Sequence, residues 1–173
     1  GQDLDLRADS LIDGSAKFLI PGLWDMHVHF RGGDSLVSEN KHLLNLFIAN
    51  GVTGVRDAGG DITPAVLDWK TNIEEGKMTG PRIFTSGPKL DGSNPGWAGS
   101  ISLQSPVEIP AAFDSLESLG VDYVKLYDSS ISRDVYLAAI SEAEKRGLPV
   151  TGHMPFTVRF REAVEEGLDA TEH

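Results

Sequence analysis

The chain has 173 residues, of which 40% are hydrophobic and 24% charged, and it contains no cysteine. These values indicate a soluble globular α/β protein with about one domain of length, and they exclude a small protein built on disulfides. A net charge of −11 argues against a nucleic-acid partner. No apolar run approaches the roughly 18 residues of a membrane span, so we expect no membrane partner and a cytoplasmic, periplasmic or secreted protein.

Five apolar stretches with helical spacing each end in a glycine and are followed by a short β-rich run. The glycines are Gly51, Gly76, Gly120, Gly147 and Gly167. Each suits the position after a helix, where left-handed backbone angles carry no Cβ clash. The predicted strands are residues 18–30, 52–56, 82–86, 121–127, 148–152 and 169–173. Strands that alternate with helices form a parallel sheet with right-handed crossovers.

Two segments lie outside this alternation. Residues 1–17 precede it and are predicted to form a small separate element, whereas residues 18–173 form the main unit. The segment from Ser86 to Ser105 is rich in Gly, Ser, Asn and Pro and is long for an ordinary connection. Two interpretations stay open for it: a mobile surface loop, or a lid over a site with Trp97 as its apolar contact.

The first predicted strand carries an unusual density of polar side chains in the run from Pro21 to Arg31. They are Asp25, His27, His29 and Arg31. Because strand side chains alternate between faces, all four are expected to project to the same side. Two imidazoles two residues apart can bind one metal ion together. A solvent-facing edge strand is the alternative, but the apolar residues around this run favour a buried strand.

Two of the remaining histidines end later strands. His153 follows the strand at 148–152, and His173 ends the strand at 169–173. The carboxyl ends of parallel strands meet at one face, where barrel enzymes have their active sites. Four of the five histidines at such ends therefore predict a metal site. The fifth, His42, lies among polar residues of the first helix and is predicted to be at the surface.

Lys125 lies within a predicted strand, which is an unusual place for an ammonium group because desolvation is costly. Burial lowers a lysine pKa, and the neutral amine can add carbon dioxide to become an anionic carbamate that bridges two cations. The alternative is an ion-paired lysine near the strand end. Tyr127 projects to the same face as Lys125.

The histidines also discriminate between two architectures. Adjacent strands are ~4.8 Å apart, so the first and sixth strands of a flat sheet in chain order would be on the order of 24 Å apart. Metal ligands lie within ~2 Å of their ion. A (β/α)8 barrel is therefore favoured over a doubly wound sheet if the histidines share a site.

Six motifs carry a family resemblance. They are PGLWDMHVHF, VTGVRDAGG, GPRIFTSG, VDYVKLYDS, TGHMPF and GLDATEH. In their order and spacing they resemble the amidohydrolase superfamily of metal-dependent hydrolases, in particular its imidazolonepropionase-like and prolidase-like branch. The resemblance implies a TIM-like (β/α)8 barrel, of which residues 18–173 are about the first six strand-helix units. Residues 1–17 would be a remnant of a small N-terminal β-sandwich.

The resemblance further implies two divalent metal ions, with zinc as the expected metal. His27 and His29 match the ligands of one ion, and His153 and His173 match those of the other. Lys125 matches the carboxylated lysine that bridges them, and imidazolonepropionases usually lack this lysine. The implied enzyme is therefore a dipeptidase-like hydrolase, which uses a metal-bridging hydroxide to cleave the amide C–N bond of a dipeptide or an N-acyl amino acid.

The family's general-base aspartate on strand eight has no counterpart here, so the chain alone is expected to be incomplete and inactive. Open sheet edges favour association with a second copy. Arg31 and Tyr127 are expected to bind the substrate. For Arg31 the alternative is an ion pair with Asp34 or Asp57, and a structural pair is expected between Arg56 and Asp57.

Other functions stay open. A cyclic amidase of the dihydroorotase or hydantoinase type would keep the metal site, since an HxHxR strand is also found there. A non-catalytic metal-binding or assembly module is the second alternative. A nucleotide-binding domain is disfavoured, because the sequence contains neither GxGxxG nor GxxxxGK[ST].

Overall fold

The computed structural model describes residues 9–173, and they form the alternating α/β arrangement expected from the sequence. The strands are β1 (Leu23–Val28), β2 (Val52–Asp57), β3 (Arg82–Thr85), β4 (Lys89–Asp91), β5 (Ser100–Ser102), β6 (Val124–Leu126), β7 (Val150–Gly152) and β8 (Ala170–Thr171). The α-helices are α1 (Val37–Ala49), α2 (Thr63–Glu74), α3 (Ile109–Leu119), α4 (Arg133–Arg146) and α5 (Phe160–Glu166). Short 3-10 turns at Asp34–Leu36 and Pro106–Glu108 lead into α1 and α3.

All strand pairs are parallel, as predicted. One sheet has the order β1-β2-β3 and the other the order β5-β4-β6-β7-β8. The two sheets are joined where β3 runs on into β4, because β3 pairs with β2 and β4 pairs with β6. A backbone hydrogen bond of 2.9 Å from Asp122 N to Thr85 O also joins the end of β3 to the segment just before β6. Apart from β5, which pairs only with β4, the strands therefore follow one another in chain order around a single wall.

This wall curves back on itself. Nδ1 of His27, at the end of β1, lies 2.6 Å from Oε2 of Glu172, which follows β8. Nη2 of Arg56 in β2 donates to Oε1 of the same carboxylate at 2.6 Å. In a flat sheet the first and last strands would be on the order of 24 Å apart. The curvature is consistent with part of a TIM-like barrel and excludes an open, flat arrangement.

The predicted helix ends are confirmed. The five glycines named above have φ angles between 67° and 119°, in the region that favours glycine. Three of them cap α3, α4 and α5 with left-handed conformations. The repeating glycine thus marks the point at which each helix turns back towards the sheet.

The first predicted strand is too long at its N-terminal end. Phe18 and Leu19 are 97% and 101% exposed, and regular strand structure begins only at Leu23. An apolar run predicts a buried strand only if other residues cover it, and here none of the described residues does. Within the predicted small element, residues 9–17 form a turn but no strand, and residues 1–8 lie outside the described residues.

The segment from Ser86 to Ser105 has regular structure that neither earlier interpretation included. It contains the short strands β4 and β5, and the β4 residues Leu90 and Asp91 are fully buried. Only residues 92–99 form an irregular excursion, and Trp97 within it is 46% exposed. The part of the segment that contains β4 therefore belongs to the buried core. The middle part, with Trp97, lines the pocket at the strand ends.

Two apolar clusters pack on the outer side of the wall. The larger one joins α3 and α4 to the strands through Phe113, Tyr136 and Leu126, which are fully buried. The smaller one joins α1 and α2 to β1 and β2, and Phe30 packs edge to face on Trp69 with ring centroids 5.6 Å apart. These clusters leave the concave side of the wall for polar groups. Among the helices of residues 9–173, none is long and apolar enough to cross a membrane.

A buried carboxylate stabilises the strand ends near the site. Asp57 accepts hydrogen bonds from Phe30 N at 3.1 Å, Gly59 N at 3.0 Å and the Thr85 hydroxyl at 2.9 Å. The expected pair between Arg56 and Asp57 is wrong, because neighbouring strand residues project to opposite faces. Arg56 instead points to the concave side, towards Glu172.

Replacement of Asp57 by alanine is expected to lower the free energy of unfolding by about 3 kcal/mol, because buried donors lose their acceptor. Urea unfolding followed by circular dichroism measures the change. The exposed helix residue Asp68 provides the matched control, and Asp68→Ala should have little effect. Equal stabilities of the two variants would contradict this role of Asp57.

Candidate metal and substrate site

A pocket of about 430 Å³ lies at the carboxyl ends of the strands. It is lined by six of the seven residues predicted from the sequence: His27, His29, Arg31, Tyr127, His153 and His173. The seventh, Lys125, is 0% exposed in β6. The exposed His42 lies on α1, as predicted.

The four strand-end histidines form one group. Nε2 of His27 and Nε2 of His29 are 2.9 Å apart. The ring centroids of His27 and His173 are 4.9 Å apart, and those of His153 and His173 are 5.4 Å apart. Imidazoles from three distant parts of the chain are thus brought together, as the barrel geometry requires.

Two of these imidazoles are oriented by carboxylates. Nδ1 of His27 lies 2.6 Å from Glu172 Oε2, and Nδ1 of His153 lies 3.2 Å from Asp128 Oδ1. Because an ionised carboxylate only accepts hydrogen bonds, Nδ1 carries the proton in each case. The lone pair of a neutral ring then lies on Nε2. This is the arrangement in which histidines commonly bind metal ions.

Burial and neighbouring charges keep two of the rings neutral. Desolvation, followed by the charges of His27 and Lys89, lowers the pKa of His29 to about 4. Desolvation and the charge of Lys125 also lower the pKa of His153. Both imidazoles are therefore unprotonated at neutral pH, the form that binds a metal ion.

Lys125 lies at the base of this group, where Nζ makes no hydrogen bond with any described residue. Oε1 of Glu172 lies 3.5 Å from it, a distance that gives electrostatic contact without a well-formed hydrogen bond. Burial lowers the pKa of Lys125 to about 8, although the Glu172 charge opposes this. The amine is thus partly uncharged near neutral pH, as expected from its position within a strand.

Glu172 connects His27 to Lys125 and to residues of other strands, and it was not predicted from the sequence. Its carboxylate contacts His27, Arg56 and Lys125 and accepts a hydrogen bond of 2.9 Å from the Thr151 hydroxyl. Burial disfavours its charge, but the bonds from His27 and Thr151 and the charges of Lys125 and Arg56 lower its pKa to about 2. The only sequence signal was its place beside His173 at a strand end.

The donor set fits divalent metal ions. Within residues 9–173, no three His, Cys, Asp or Glu side chains are placed closely enough to hold one ion as they stand. However, the 2.9 Å between the Nε2 atoms of His27 and His29 is close to the about 3.3 Å expected for two nitrogen ligands of a tetrahedral zinc ion. The neutral imidazoles of His29 and His153 are suitable ligands for such an ion.

The far side of the pocket is cationic and aromatic. The Arg31 guanidinium lies over the Trp97 ring, 5.5 Å from its centroid, and makes no ion pair with Asp34 or any other described carboxylate. The ring of Tyr127 packs on His153 with centroids 4.4 Å apart. Asp25, predicted to project with the histidines, is absent from the pocket lining, since a register shift interrupts β1 after it.

Comparisons with known proteins agree with this architecture. No family model matches the chain. Over 88 residues, which are 47% of this chain and 20% of the relative, the sequence is 40% identical to a dihydroorotase from Carboxydothermus hydrogenoformans. The fold matches a protein assigned as a prolidase from Bifidobacterium longum (TM-score 0.72, 27% identity, 88% of this chain and 40% of the other). It also matches a bottromycin amidohydrolase (TM-score 0.75, 26% identity, 88% and 32%).

In sequence and fold the chain is similar to members of the amidohydrolase superfamily. This confirms the resemblance predicted from the six motifs, and the named relatives are hydrolases. The chain spans one fifth of the length of the curated dihydroorotase and 32–40% of these two solved chains. Because these matches are partial, the activity and the substrate of the whole protein are proposed below.

The Glu172→Gln variant is expected to lower the free energy of unfolding by about 3 kcal/mol, because the buried charges of Arg56 and Lys125 lose their counter-ion. Urea unfolding at neutral pH measures the effect. The same substitution at Glu162, whose ion pair with Arg133 is exposed, serves as the matched control and should change stability little. If Glu162→Gln destabilises the protein as much, the central role of Glu172 is refuted.

Proposed function

We propose that the protein is a metal-dependent hydrolase that cleaves the amide bond of a small substrate such as a dipeptide or an N-acyl amino acid. The observation that supports this most directly is the convergence of four strand-end imidazoles beside a buried, unpartnered lysine. Similarity to a dihydroorotase and to an amidohydrolase supports the same reaction class.

We assign the metal ligands as the sequence predicted them. His27 and His29 would hold one divalent ion, and His153 and His173 the second. A carbamate on Lys125 would bridge the two ions. Glu172 and Asp128 would orient His27 and His153 through their Nδ1 protons.

When bound, the ions supply Lewis acidity and lower the pKa of a water molecule. The chain's own residues then bind and orient the substrate. Arg31 can pair with a substrate carboxylate, and the Tyr127 hydroxyl can donate to a substrate oxygen at the pocket wall. Trp97 lies against Arg31 in the pocket wall and can hold its guanidinium in place.

A second candidate is the hydrolysis of cyclic amides. It is favoured by the 40% identity to a dihydroorotase, which is the highest identity among the relatives reported above. The HxHxR arrangement of His27, His29 and Arg31 is compatible with both substrate classes. A set of dipeptides assayed against a set of dihydropyrimidines distinguishes them: preferential turnover of the cyclic amides would replace the dipeptidase assignment.

Two zinc ions per chain are expected in protein purified without chelators, measured by plasma mass spectrometry. His27→Ala and His153→Ala should each remove metal, because each takes away an oriented imidazole. His42→Ala, which changes an exposed helix residue, should retain the full content. Less than one ion per chain in the unaltered protein, or full occupancy in the two site variants, would contradict the proposed site.

Addition of ¹³C-bicarbonate and zinc is expected to give a carbamate signal in the ¹³C NMR spectrum, which requires the neutral amine of Lys125. The signal should be lost in Lys125→Met and kept in Lys41→Met, because Lys41 is exposed on α1. A signal of unchanged intensity in Lys125→Met would show that the adduct forms elsewhere.

A further inference from the structure

A second buried lysine lies in the wall of the same pocket. Lys89, in β4, is 5% exposed and lines the pocket on the side of Arg31 and Trp97. Its Nζ donates a short hydrogen bond to the carbonyl oxygen of Gly59. It is neither one of the predicted metal ligands nor one of the substrate contacts proposed above.

The charge of Lys89 has no direct counter-ion. Among residues 9–173, no carboxylate oxygen lies within 4.0 Å of its Nζ. The charge of Asp61 acts on Lys89 most strongly, followed by those of Asp57 and Asp91, but none of the three pairs with it directly. Asp57 accepts hydrogen bonds from the three donors described above, and Asp91 accepts from Gly92 N and Ser130 N. An ammonium group has three donors, and Lys89 uses one. Two donors therefore remain for a group that enters the pocket.

Arg31 adds a second positive charge to this part of the pocket. Its guanidinium makes no described ion pair and rests on Trp97. Burial, and to a smaller extent the charge of Arg31, lowers the pKa of Lys89, so the two groups interact through space. Like charges held close together are unfavourable unless an anion lies between them.

One acidic group limits the kind of anion. Asp61 also lines the pocket; its Oδ2 accepts from Gly32 N at 2.8 Å and Gly33 N at 3.2 Å. Its Oδ1 is buried and makes no hydrogen bond with any described residue. A negative oxygen at this point repels a doubly charged phosphate more strongly than a singly charged carboxylate. The charge balance thus favours a monoanion.

We propose that Lys89 is a specificity-determining residue which, together with Arg31, binds the free carboxylate of the substrate. The assignment of this carboxylate to a substrate rests on the proposed hydrolase function, whereas the carboxylate subsite itself does not. In this proposal the pocket has two parts. The imidazoles and Lys125 face the amide that reacts, and Lys89 and Arg31 bind the carboxylate end of the substrate.

The binding test uses metal-free protein, so that a metal ion cannot bind the probe. The probes are N-acetylglycine and its neutral analogue N-acetylglycinamide, titrated by isothermal calorimetry. The unaltered protein should bind the acid and not the amide. Lys89→Met should weaken binding of the acid at least about tenfold, the scale for loss of a hydrogen bond to a charged group. Lys77→Met, at an exposed lysine outside the pocket, should not change it.

A folded Lys89→Met protein that binds N-acetylglycine as tightly as the unaltered protein would overturn the proposal. Inorganic phosphate that competes as well as the acid would overturn the carboxylate assignment. If Lys89→Met does not fold, Arg31→Gln provides the second variant, because Arg31 is exposed. Unchanged binding in Arg31→Gln would then count against the subsite.

An activity measurement on zinc-loaded protein that includes the general-base aspartate expected on strand eight separates this proposal from the hydrolase proposal. For Lys89→Met, the ratio of kcat/KM for an N-acyl amino acid to that for its neutral amide should fall at least about tenfold. An unchanged ratio in an active enzyme would refute the subsite and leave the hydrolase function standing. Absence of bound metal in the unaltered protein would refute the hydrolase function, while the metal-free titration would still test Lys89.

Discussion

The carboxylate of Glu172 is the contact on which the rest of the site depends. It lies after the last described strand, yet it binds His27 at the end of β1 and Arg56 in β2. These contacts cross the concave side of the wall and are possible only because the sheet curves. Burial would favour a neutral acid, but the cations and donors around it keep it ionised. One buried anion therefore connects the ends of the wall and orients a predicted metal ligand.

Glu172 also affects the chemistry proposed for Lys125. With an uncarboxylated lysine, Oε1 lies 3.5 Å from Nζ and stabilises the ammonium form. A carbamate would replace this cation with an anion beside Glu172, and only part of the repulsion would be offset by Arg56. The carbamate is thus expected to be stable only when metal ions are bound. Metal binding and lysine carboxylation should form a single coupled equilibrium rather than two independent steps.

The fold could be predicted from local sequence patterns, whereas several features of the site depend on tertiary contacts that such patterns do not reveal. The helix-ending glycines and the histidines at strand ends could be predicted because each depends on a few neighbouring residues. The exposure of Phe18 could not, because an apolar residue does not reveal whether another surface covers it. The register shift in β1 that separates Asp25 from the pocket has no signal in a two-residue alternation. Glu172 and Lys89 were missed because their importance comes from partners distant in sequence.

The two cations on the far side of the pocket have a second consequence for the histidines. After burial and the charge of His27, the charges of Lys89, Lys125 and Arg31 contribute to the low pKa of His29. The cations of the carboxylate subsite would therefore also help to keep His29 neutral and ready to bind a metal ion at mildly acidic pH. Bound metal ions add further positive charge, so an anionic substrate end or a carbamate would be needed to balance it. Substrate charge, lysine carboxylation and metal occupancy are then expected to favour one another.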